Sequence, residues 1–171
     1  MKTRTHLRNF AILSTLVLTP MVSLAQNVQA TANNIKYPLG LTNWRVIGSS
    51  MRNDNNTQRV ILGNSIAIKA GRANTAKTQW PDGAILAKLV WKNTTLETWK
   101  AATVLGDFVH AEIMVRDTTK YATTGGWGFA RWKGLDLNPH SQDINAATAC
   151  FECHKAASNN NYVFTVPAKM P

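Results

Sequence analysis

Cys150, Phe151, Glu152, Cys153 and His154 form a Cys-x-x-Cys-His element, and its two cysteines are the only ones in the 171 residues. Positions i, i+3 and i+4 share one face of a helix, so both thiols and the imidazole can address the same planar group. That group is a c-type haem: each thiol adds across a porphyrin vinyl group, and His154 reaches the iron as proximal ligand. Other uses of the pair fit less well. A Cys150–Cys153 disulfide would close too short a loop to constrain much of the unfolded chain. A thioredoxin-like pair follows a strand near the start of its domain, whereas this pair comes late. Zinc would need further ligands, and only His110 and His140 remain once the first 25 residues are set aside.

Those first residues speak to compartment. Lys2, Arg4 and Arg8 precede an apolar run from Phe10 to Ala25, the pattern of a secretory signal peptide. The run contains Ser14, Thr15, Thr19 and Pro20 and is shorter than the roughly 20 apolar residues of a spanning helix, so no membrane anchor is expected after processing. Ser23-Leu24-Ala25 offers the small residues that a signal peptidase reads, giving residues 1–25 as the removed segment; Val28-Gln29-Ala30 is a second choice. The periplasm is the compartment this implies. Removal takes three basic and no acidic residues, lowering the formal charge from +10 to +7 and leaving residues 26–171 as one domain. The remaining lysines and arginines are scattered from Lys36 to Lys169 without a block of like charge, which argues against a nucleic-acid partner.

The elements that must position the motif read as mainly β. Ser141 or Asp143 caps a helix through Ala146, Ala147, Ala149 and the motif to about Ala157. A turn at Ser158 to Asn161 leads into the apolar Tyr162-Val163-Phe164, stopped by Pro167. Upstream, Trp80-Pro81-Asp82-Gly83 is a turn, followed by a strand over 84–92. Further strands are expected over 108–116, 127–133, 43–49 and 59–62, and Asn64 caps a short helix through Ile66, Ala67, Ile68 and Ala70. Alternation puts Leu86, Lys88, Val90 and Lys92 on one face, and Phe108, His110, Glu112 and Met114 on another. It separates Trp127 and Phe129 from Gly128, Ala130 and Trp132. The expected fold is α+β, an antiparallel sheet with a few helices and the haem-bearing helix last, not the all-α cytochrome c fold.

Several of these stretches occur together in one known family. Trp44-Arg45-Val46-Ile47-Gly48, Arg59-Val60-Ile61-Leu62-Gly63-Asn64, Trp80-Pro81-Asp82-Gly83 with Lys88, Gly125-Gly126-Trp127-Gly128, the haem motif and Tyr162-Val163-Phe164 together resemble the cytochrome P-460 family, from about Asn43 to Pro171. The resemblance implies a homodimer of mainly antiparallel β subunits carrying a five-coordinate haem with an open distal side. It also implies two kinds of member. In one, a lysine is covalently linked to the porphyrin and hydroxylamine is oxidised, with nitric oxide or nitrous oxide as products. In the other, the cytochromes c′-β, the link is absent and nitric oxide is bound.

The family match places the linking lysine at Lys88, with Lys92 as fallback. An unlinked lysine on such a strand would let its amine reach water along its own stem. Glu112 is the candidate general base toward a nitrogen substrate, against the alternative of a solvated carboxylate. Arg59, with Arg131 as competitor, is the candidate donor to an iron-bound ligand or a haem propionate. Phe108 and Phe129 are candidates to line the distal space. His110 and His140 read as structural or exposed. The resemblance also implies an external electron acceptor such as a cytochrome c. A six-coordinate electron carrier is the third reading and needs Met51, Met114 or a histidine on the iron; Met170 is the one methionine after the motif.

Overall fold

In the computed structural model, residues 28–73 and 79–170 are described; the proposed signal peptide lies outside them. Strands β1 (Arg45–Arg52), β2 (Thr57–Gly63), β3 (Ile85–Leu96), β4 (Trp99–Arg116), β5 (Trp127–Lys133) and β6 (Asn138–Pro139) form one antiparallel sheet. Its strand order equals chain order. Helix α1 (Ser65–Arg72) joins β2 to β3, and α2 (Ala146–His154) follows β6. The mainly β expectation with a late helix is met. Among the described residues no helix is long and apolar enough to cross a membrane.

Local chemistry explains the joints. Asn64 caps α1, its Oδ1 accepting from Ala67 N at 2.9 Å and from Ile85 N at 3.2 Å, while its Nδ2 donates to Gly83 O at 2.8 Å. One side chain therefore ties the end of β2, the start of α1 and the turn before β3. In that turn Gly83 has φ +82, a left-handed value that glycine adopts without a Cβ penalty. Asp82 accepts from the Thr118 amide at 3.0 Å and its hydroxyl at 2.8 Å, fastening the turn to the β4–β5 loop.

Alternation then builds two cores. One face contributes Ile61, Leu86, Trp127 and Phe129, which pack with Ala67 and Ile68 of α1, Phe151 of α2, Trp80 and Val163. The opposite face contributes Leu62, Ala87, Leu89, Ala111, Ile113, Ala130 and Trp132, covered by Ile35 and Leu41 from the segment before β1. Asn33 Nδ2 donating to Phe129 O and Trp132 Nε1 donating to Gln29 O, both at 2.8 Å, lace that segment onto the sheet.

Three departures from the sequence reading have physical causes. The β3–β4 pair runs past the expected ends to Leu96 and Trp99 as a two-stranded ribbon with only Glu97 and Thr98 between the strands. It is largely exposed (Trp99 is 67% accessible), so no alternation of burial marks it in the sequence. A bulge at Val109 changes the register from Val90↔His110 to Trp91↔Phe108. Phe108 is thereby carried to the face opposite His110 and Glu112, where its ring meets Trp91 edge-on at 5.4 Å; it does not line the site. Helix α2 ends at His154 rather than Ala157, giving way to a 3-10 turn over Lys155–Asn160. Its N-cap position is Asn145, whose amide donates to Asp143 Oδ1 at 2.9 Å.

Candidate haem site

The site has two halves, one on α2 and one on the sheet face that α2 covers. Phe151 anchors α2, its ring 6.4 Å from Phe129 on β5 and 5.3 Å from Tyr162. With Phe151 buried, Cys150 is half-buried and Cys153 exposed, both as free thiols, and His154 completes the same stretch of helix. Burial pushes the Cys150 thiol up, against the charges of Arg131 and Lys88. Both thiols are thus available for addition, as the cofactor requires.

His154 is held from three sides. Phe129 and Phe164 flank its ring at 4.9 and 5.1 Å. Its Nδ1 donates to the Tyr162 carbonyl at 2.6 Å. Burial lowers the imidazole's pKa even though that hydrogen bond works the other way, which favours the neutral ring; with Nδ1 donating, Nε2 is left as the lone-pair nitrogen. A neutral imidazole whose second nitrogen is fixed by a backbone carbonyl is the form that binds a metal. The carbonyl is aimed by an unusual piece of backbone: Asn161 and Tyr162 both have positive φ, +53 and +63. Such conformations cost about 1–2 kcal/mol each. They are held by Trp127 Nε1 donating to Asn161 O at 2.8 Å, Tyr162 N donating to Ala157 O at 2.9 Å and Val163 N donating to Asn160 O at 3.1 Å. The Tyr162 ring lies over Gly125, φ +64, where an added Cβ would fall on the ring carbons. Sequence reasoning passed over Tyr162 in this role, because a carbonyl acceptor carries no side-chain signature.

The sheet half is a polar row within an apolar face. Register aligns Ile61, Lys88, Glu112 and Arg131 across β2 to β5. Glu112 forms an ion pair with Lys88 through Oε2. Its Oε1 accepts from Arg131 Nη2 at 2.5 Å and faces His110 Nε2 at 3.2 Å. Burial alone would raise the Glu112 pKa; the His110 hydrogen bond and the Lys88 and Arg131 charges outweigh it and hold the carboxyl well below the ordinary range. Arg59 is 9% accessible, with Nη2 donating to Thr57 Oγ1 at 2.8 Å and Nη1 buried without a partner among the described residues. Lys88 and Glu112 both act on the ionisation of Cys150 and His154, so the two halves lie within electrostatic reach of each other.

The residues present fit a c-type haem. Two thiols and a neutral, oriented imidazole occupy one helix, opposite a row of charged groups and a buried guanidinium with a free donor for an anionic substituent. Among the described residues no three of His, Cys, Asp and Glu gather into a metal site, so the zinc alternative finds no further ligands. A comparison with family models matches Cytochrome P460 over residues 38–165.

The chain belongs to the cytochrome P460 family.

As a cytochrome P460 it is a haem-binding, iron-binding protein, and the paired cysteines of α2 are those of haem c. Comparison with individual curated proteins gives no match. On this P460 frame the structure brings Lys88, Glu112, Arg131 and His110 together and sets Arg59 on the same sheet face. It keeps others out. Lys92 is exposed, its Nζ 3.5 Å from Asn55 O, and His140 is exposed. Met51 is 55% and Met170 49% accessible, whereas Met114 packs into the core on the Glu112 face. Phe129 packs against His154 rather than across a cavity from it.

Proposed function

We propose that the mature protein, residues 26–171, works in the periplasm as a homodimer that oxidises hydroxylamine to nitric oxide or nitrous oxide. Electrons pass to an external acceptor such as a cytochrome c. The observation that carries this reading is a part-buried carboxylate, Glu112, set among His110, Lys88 and Arg131 on the sheet face covered by α2. Cys150, Cys153 and His154 would hold the haem, which would supply an electron sink for the substrate. The Tyr162 carbonyl keeps His154 oriented. Arg59 offers its free Nη1 to an anionic group at the site, a propionate or the bound ligand.

Glu112 accepts protons from the nitrogen substrate, and its strength as a base depends on Lys88. While Lys88 is an ammonium, it joins the His110 hydrogen bond and the Arg131 charge in holding the Glu112 pKa down, which weakens the carboxylate as a base. A Lys88 amine bonded to the porphyrin would no longer supply that charge, and the carboxylate would regain part of its basicity.

A second reading, a non-linked nitric-oxide-binding protein of the c′-β kind, is favoured by that same ion pair, because a lysine engaged with a carboxylate is not free to bond elsewhere. A reduced absorption spectrum with intact-mass and peptide-mass analysis separates the two. A strongly red-shifted ferrous Soret band, with haem retained on the Lys88 peptide, supports hydroxylamine oxidation. An ordinary high-spin c-type spectrum with tight nitric oxide binding and no turnover supports the second reading. A low-spin six-coordinate spectrum overturns both.

A further inference from the structure

Glu112 has three polar partners, and only one of them can accept a proton. Arg131 and Lys88 meet the carboxylate as cations already saturated with protons, and a guanidinium does not release one in a protein. His110 is the exception. Its Nε2 lies 3.2 Å from Glu112 Oε1, and its side chain is 22% accessible against 17% for Glu112. We infer that His110 is the proton exit of this site: once Glu112 has taken a substrate proton, the ring in its Nδ1–H tautomer accepts that proton at Nε2 and releases one to water from Nδ1, returning to the Nε2–H form that donates to the carboxylate. This rests on the hydroxylamine reading, in which the substrate loses its N–H and O–H protons to Glu112 as its electrons go to the external acceptor.

The backbone is built to aim this imidazole. The Val109 bulge immediately precedes His110, and Gly134 N donates to Val109 O at 3.0 Å, fixing the bulge against the turn after β5. Bulges re-aim neighbouring side chains in this way. Without it, Phe108 would share the face with His110 and cover the ring. The charged and titratable groups that face His110 are Glu112 on its own strand, Lys88 on β3 beside the apolar Val90, and Arg131 and Lys133 on β5. Arg59 stands beyond Val90, His140 follows β6, and Cys150 and His154 belong to α2. The fixed charge of Arg131 beside the carboxylate favours a proton that moves on over one that stays. Histidine is the side chain suited to exchanging it near neutral pH.

The test uses the holoprotein with His110→Gln, which keeps an N–H donor for Glu112 and cannot relay a proton. In dilute buffer, hydroxylamine turnover should fall at least about tenfold in kcat with KM unchanged within about twofold. It should recover as the concentration of a sulfonate buffer too bulky to reach the iron is raised, while wild type stays insensitive. The reduced spectrum and nitric oxide affinity should match wild type, establishing that the site is intact. A measurement free of turnover is the pH dependence of the haem midpoint potential. Wild type should show a pH-dependent midpoint potential, and His110→Gln should flatten that dependence. Equal slopes in both proteins, or a kcat indifferent to buffer concentration, overturn the assignment. Absence of wild-type hydroxylamine turnover overturns the functional reading instead, and the potential slope still decides the role of His110.

Discussion

Substituting Gly125 by alanine should loosen His154 without touching it. Gly125 sits at φ +64, where an alanine costs about 1–2 kcal/mol. The new Cβ would also land on the Tyr162 ring, 2.7 Å from Cζ and 2.8 Å from Cδ2, and that ring is backed by Phe151 at 5.3 Å. Overpacking of this kind costs about 1–3 kcal/mol. Together the terms predict a loss of about 2–5 kcal/mol, or roughly 4–20 °C in melting temperature for a chain of this size. Relief comes by moving Tyr162, which lengthens the 2.6 Å bond from His154 Nδ1 to the Tyr162 carbonyl. The assay is thermal unfolding of the holoprotein together with the iron–histidine stretching frequency of the ferrous form, which should fall. Gly128→Ala is the control. Its Cβ would meet the Tyr121 ring, 2.8 Å from Cε1, so it should destabilise comparably while leaving the iron–histidine frequency unchanged. An unchanged melting temperature for Gly125→Ala would refute the steric reasoning. A lowered melting temperature with a wild-type frequency would refute the claim that ring packing holds the carbonyl.

Other outcomes follow from the same contacts. The folded-state pKa of Glu112 lies below its ordinary 4.5, so the stabilisation it gives is complete above that pH and is lost as the pH falls through the depressed value. Glu112→Gln should therefore be less stable at pH 7 and show a shallower acid limb in unfolding titrations; parallel limbs would contradict the ion-pair assignment. Lys88→Ala should leave the spectrum unaltered if Lys88 only pairs with Glu112, and should abolish a red-shifted Soret band if it is linked. Asn64→Ala removes the α1 cap and the tie to Gly83, costing about 1–2 kcal/mol by chemical denaturation with haem content unchanged. Replacing Cys150 or Cys153 singly should leave one thioether and a haem retained on denaturing gels, whereas replacing both should release it.

Legibility in the sequence followed burial. The strand over 127–133 was readable in full because its residues divide between two cores, Phe129 to one and Trp132 to the other. Asn64, the Pro-Asp-Gly turn and the face shared by Leu86 and Lys88 were readable for the same reason, since local chemistry and tertiary packing agree there. The haem motif was legible from spacing alone. What escaped was set by register or by backbone. The Val109 bulge reverses the face of Phe108 with no residue type to announce it. The cover formed by Ile35 and Leu41 lacks periodicity because that segment crosses the sheet without joining it. The Tyr162 carbonyl depends on two left-handed residues, neither of which is glycine. The partnership of His110 with Glu112 was visible as proximity in sequence, yet its chemical meaning needed Arg131 and Lys88 to arrive from neighbouring strands.

The meander order of the sheet bears on how the holoprotein comes into being. Each strand pairs only with its neighbour in chain order, so the row from Lys88 to Arg131 is assembled through successive short-range closures. None of these closures involves α2. The surface awaiting the cofactor can therefore form first, and the segment bearing Cys150, Cys153 and His154 then docks onto it through Phe151. The charged row and the cofactor-binding segment thus belong to separate closures of the chain, joined by the packing of Phe151.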